Sequence, residues 1–70
     1  MSTYAVVIEG TDGSYSAYVP DLPGCVAAGA TMEEVTTLIR AAIELHIENL
    51  RGHGEPVPSP TTAVRLVEVA

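Results

Sequence analysis

The sequence predicts an α+β domain, a small and mostly antiparallel sheet with one helix packed on one face, in the order β-β-β-α-β. Three observations carry this prediction. Short apolar runs broken by glycine and proline fill residues 3–29, and the first two alternate with a period of two. Apolar side chains then recur at helical spacing from residue 32 to about 51, and a β-branched run occupies 63–69. Alternation marks half-buried strands, whereas a period near 3.6 marks an amphipathic helix.

Tyr4, Val6 and Ile8 alternate through Thr3–Glu9, with β-branched residues in both phases, and predict a first strand buried on at least one face. "GTDG" (10–13) turns the chain. Tyr15, Ala17 and Val19 then resume the period against Ser14, Ser16 and Tyr18, as the second arm of a hairpin. In "PDLPG" (20–24) two prolines remove backbone donors and a glycine permits unusual dihedrals. The chain therefore leaves the ladder there, before "CVAAG" (25–29) re-enters it as a short third strand.

"TMEE" (31–34) has the spacing of a capping box, in which Thr31 accepts from the Glu34 amide and Glu34 reaches back to the Thr31 amide. Glu33 and Glu34 also lie in the first turn, where the macrodipole favours acids. At about 100° per residue, Val35, Leu38, Ile39, Ala42, His46 and Leu50 form one apolar stripe, with Glu44 and Glu48 off it. Arg51 suits the last turn and Gly52 is expected to stop the helix. "HGEPVPSPTT" (53–62) reads as a proline-punctuated connector and "AVRLVEV" (63–69) as a last strand. One helix covers one face of a sheet, so the other face and at least one strand edge stay open to self-association or strand addition.

Size and charge narrow the function. A chain of 70 residues is one domain, spanning 1–70, and buries only about 60% of the surface its unfolded form exposes. Without Trp or Phe its core is thin, worth no more than about 3–5 kcal/mol, and homo-oligomerisation or a partner is expected. Residues 1–35 hold five acids (Glu9, Asp12, Asp21, Glu33, Glu34) and no base, while 36–70 hold four acids and three arginines, for a net charge of −6. No basic stripe is present to neutralise phosphates, so direct nucleic-acid binding is not expected and a basic protein partner fits better. A lone cysteine, no signal-peptide pattern and no membrane-length apolar run predict a cytoplasmic protein with no membrane association.

Taken in order, "VPDLPGC", "AIELHIENL" and "GEPVPSP", together with the hairpin "YAVVIEGTDGSYSAY" and the helix entry "GATMEE", resemble the HicB-like antitoxin family over nearly the whole chain. The resemblance implies a partial ribonuclease-H-like fold. It also implies a type II toxin–antitoxin function: neutralising a small basic mRNA-cleaving ribonuclease by covering its catalytic surface and placing acids where RNA phosphates would lie. Family members commonly add a C-terminal helix-turn-helix or ribbon-helix-helix domain that binds their own operator; none is expected here, which puts autoregulation by direct DNA contact in doubt and leaves operator binding open. Ala30 stands where an acid is usual, and Val35-Thr36 where the family tends to Ala-Leu.

Catalysis is not expected. A ribonuclease-H-like metal site would need carboxylates from several elements, with Glu9, Glu44, Glu48 and Glu68 as the set to test, but Glu44 and Glu48 lie off the apolar stripe. Cys25 with His46 or His53 lacks a third orienting residue, and these residues do not have zinc-site spacing. The chain is read as a binding module without cofactor or metal. Its candidate partner-binding residues are Asp12, Asp21, Leu22, Pro23, Glu33 and Glu34: the acids as acceptors for Arg or Lys on the partner, and "PDLPG" as a loop stiffened in advance. The alternative is a solitary homo-oligomer with a structural or regulatory role and no toxin.

Overall fold

The computed structural model describes residues 2–70. Three strands, β1 (Val7–Thr11), β2 (Ser14–Tyr18) and β3 (Val26–Gly29), form an antiparallel sheet in the order β1-β2-β3, followed by a single helix, α1 (Met32–Gly52). Ile8 pairs with Ala17, and Ala17 with Ala27, so these three share the face beneath the helix. Val7, Tyr18 and Val26 align on the opposite face. The core consists of Ala17, Val19, Leu22, Cys25, Val35 and Ile39.

The first strand lies further along the chain than Thr3–Glu9. Thr11 pairs with Ser14, leaving only Asp12 and Gly13 to turn, so Gly10 and Thr11 join the ladder. At the other end Val7 pairs with Tyr18, the last residue of β2. Val19, which would face Val6, instead accepts from the Leu22 amide and donates to Cys25. Residues 3–6 therefore run beyond the end of their partner.

The cap of α1 also differs in one bond. Thr31 accepts from the Glu34 amide at 3.0 Å, as the spacing predicts, but the Glu34 carboxylate receives the amide of Ala30 (2.8 Å) rather than that of Thr31. At the far end Gly52 is still helical. The helix ends there, with His53 as its cap, and Glu55 donates to Leu50 and Gly54 to Arg51 with Gly54 at φ +69°, the bond pattern of a Schellman motif. The buried stripe is rolled relative to the sequence expectation: Leu38 is exposed, while Ile43 and Ile47 pack against the core.

No strand forms at 63–69, which is the main departure from β-β-β-α-β. A strand exists only against a neighbouring ladder, and this segment runs out into solvent with Leu66 99% exposed.

Candidate functional site

The loop "PDLPG" consists of two consecutive turns. Leu22 donates to Val19 (3.1 Å) and Cys25 donates to Leu22 (3.0 Å), so Leu22 is the shared corner. Pro23 and Gly24 occupy the centre of the second turn, with Gly24 at φ +85°, the left-handed region that a type II turn requires at that position. The shared corner drives the Leu22 side chain inward until it is fully buried, whereas Pro23 stays exposed. Leu22 thus has no surface to offer a partner; it holds the loop to the core.

Asp21, beside it, is clamped from far away in sequence. Its carboxylate accepts the Thr61 and Thr62 amides at 3.1 and 3.0 Å and both threonine hydroxyls at 2.8 and 3.0 Å. Foremost the Thr62 amide, then the Thr61 hydroxyl, lower its pKa from 3.8 to about 2, since bonds to the ionised form favour it. The clamp fixes the connector on the β2–β3 loop. A second tie, from the Tyr4 hydroxyl to the Pro58 carbonyl, holds the connector against the N-terminal segment. No local pattern in the sequence signals a pairing across forty residues.

The remaining candidates gather at the opposite end of the sheet. Asp12, in the β1–β2 turn, and Glu33, in the first turn of α1, both line a shallow depression with Tyr15, Ala30 and Met32. Both acids are exposed, whereas the exposed Glu34 is committed to the helix cap. The structure therefore brings Asp12 and Glu33 together and separates them from Asp21, Leu22 and Pro23.

The other chemical candidates do not converge. Among the described residues no three His, Cys, Asp or Glu side chains are placed to share a metal ion. Glu9 lies on the sheet face away from the helix, Glu44 and Glu48 on the helix, and Glu68 in the protruding tail. Cys25 is buried, and desolvation pushes its thiol pKa up, the opposite of what a nucleophile needs. His53 bonds through Nδ1 to the Asn49 carbonyl at the helix end. Among the described residues no helix is long and apolar enough to cross a membrane.

A larger groove, missed by the sequence reading, runs along the outer side of β1. It has a volume of about 1060 Å³ and is lined by Tyr4, Val6 and Ile8 on one wall and by Ile39, Ile43 and Ile47 on the other, with no residue of β2 or β3. The helix lies over β2 and β3 and makes no close backbone approach to β1. The inner face of the sheet is thus only partly covered at that edge, where Tyr4, Val6 and Ile8 are half-buried.

Comparison with known proteins gives a consistent picture. Residues 4–69 match the family model described as the HicB-like antitoxin of the bacterial toxin–antitoxin system. A UPF0150 protein of Synechocystis is 40% identical over 67 residues, covering 94% of this chain and 85% of its own length. Another, of Thermoplasma acidophilum, is 43% identical over 56 residues, covering 79% and 81%. Among solved structures, a chain of a HicA3 and HicB3 toxin–antitoxin complex superposes with a TM-score of 0.73 at 35% identity, covering 86% of this chain and 70% of the other.

Proposed function

The chain belongs to the HicB-like antitoxin family, and on that premise we propose that it binds and neutralises a small basic mRNA-cleaving ribonuclease, the toxin of a type II pair. It acts in the cytoplasm, stoichiometrically and without catalysis. The observation that carries this reading is the likeness, over 86% of the chain, to a component of a toxin–antitoxin complex. The charge distribution supports it: a chain of net charge −6 with no base before Arg40 is suited to a cationic partner.

Asp12 and Glu33 are the acids proposed to meet the toxin. They are exposed, they line one depression, and neither is part of the clamp or the capping bonds. Asp21, Leu22 and Pro23 contribute by holding the loop and connector rigid; Pro23 is exposed and Asp21 half-exposed, whereas Leu22 is buried.

The test is to tag the protein in its native host, purify it at low salt so that charge-driven contacts survive screening, and identify what co-purifies by mass spectrometry. The expected result is a small basic protein whose RNA cleavage this chain suppresses, with suppression weakened by the double reversal Asp12→Lys and Glu33→Lys. Recovery of no such protein, under conditions where an authentic toxin–antitoxin pair survives purification, refutes the reading.

A further inference from the structure

The groove along β1 and the protruding tail fit one another. Residues 63–69 have strand composition and no partner: Val64, Leu66, Val67 and Val69 are 65%, 99%, 77% and 84% exposed. Isolated exposed apolar residues are ordinary, but four within six residues on an unpaired backbone are a docking element. The groove offers the complement, because β1 is an edge strand with a free ladder side beside an apolar wall of Tyr4, Val6, Ile8, Ile43 and Ile47.

The tail does not reach its own groove. The connector passes the groove mouth at Val57, is tied to Tyr4 at Pro58, and is then carried to Asp21 by the Thr61–Thr62 clamp. Residues 63–69 leave from there, stretching the molecule to 46 Å against a thickness of 19 Å.

We propose that residues 63–69 of each chain add as a fourth strand to the β1 edge of a second copy, reciprocally, closing the groove of each. Asp21 and the start of β1 lie at the same end of the sheet, since Val7 pairs with Tyr18. A two-fold axis near that end lets both tails cross at once, giving an isologous dimer. Seven extended residues span about 23 Å, enough to run along the five residues of β1 and about two of the segment before it. Alternation places Val64 and Leu66 on the groove side, with Glu68 on the same side, where the lining carries Arg40 and Arg51 beside Glu44 and Glu48. Val67 and Val69 then extend the outer face beside Val7, Tyr18 and Val26. This inference does not depend on the antitoxin reading.

Leu66→Asp tests it cleanly, because Leu66 is almost wholly exposed within its own chain and its replacement leaves the single-chain core unchanged. The full chain is expected to run at about twice its 7.3 kDa by light scattering, and L66D at the monomer mass with an unchanged helical circular-dichroism signal. Hydrogen exchange adds a second readout: alternate amides across 63–69 are expected to be protected at least about tenfold more in the parent than in L66D. A monomeric parent, including one whose tail is protected by its own groove, overturns the proposal. So does a dimer that survives L66D.

Discussion

Leu22→Ala is expected to cost this protein a large part of its stability. Leu22, like Val35, is buried completely, and it is the corner at which both turns of the β2–β3 loop meet. Removing a buried leucine's outer carbons typically costs about 2–5 kcal/mol, the spread reflecting how far the cavity collapses. In a core of six residues, close to the surface on every side, partial collapse places the expected loss near 3 kcal/mol. At roughly 0.05–0.15 kcal/mol per residue, a domain of this length holds only about 3.5–10 kcal/mol in total. Urea denaturation followed by circular dichroism, with parent and variant at the same protein concentration because self-association shifts apparent stability, measures the difference. With an m-value of about 1 kcal/mol per molar, the midpoint should fall by about 3 M. A loss below about 1 kcal/mol would show that Leu22 is not holding the loop to the core.

Two further expectations concern the groups the structure ties down or hides. Asp21 has a folded pKa below its ordinary value, so the clamp's contribution is fully present above about 3.8 and is lost as pH falls through about 2; the Thr61 and Thr62 amides should lose exchange protection over that interval, and in Asp21→Ala at every pH. Unchanged protection in Asp21→Ala would mean that the connector is held by something else. Cys25, buried and with its thiol pKa raised, should react with a thiol reagent at pH 8 at least about tenfold more slowly than free cysteine until urea unfolds the chain; a rate equal to that of free cysteine refutes the burial of this side chain.

Legibility in the sequence followed the range of the interaction. Ser14–Tyr18 and the helix from Met32 were readable because alternation, capping-residue spacing and helical periodicity are each contained in a few neighbouring positions. The bond from Thr31 to the Glu34 amide was legible for the same reason. Its counterpart was not, because whether Glu34 reaches Ala30 or Thr31 depends on how β3 enters the helix. Thr3–Glu9 had the right period and the wrong limits: a strand extends only as far as its partner, and Val19 is already engaged in the loop. Among the candidate residues, the turn chemistry of "PDLPG" was plain, but the burial of Leu22 follows from two turns sharing one corner.

The sequence by itself determined the α+β class, the two turns and the helix with its cap, the acidity of the first half and the family, because each is written in local spacing or in ordered motifs. Tertiary structure alone decided that Asp21 holds Thr61 and Thr62, that Asp12 and Glu33 share a depression while Asp21 lies at the other end of the sheet, and that β1 is left with an open groove. Each of these depends on where the connector and the helix come to rest against the sheet. That is settled by packing between residues as many as 54 positions apart, for which no spacing along the chain is a signal.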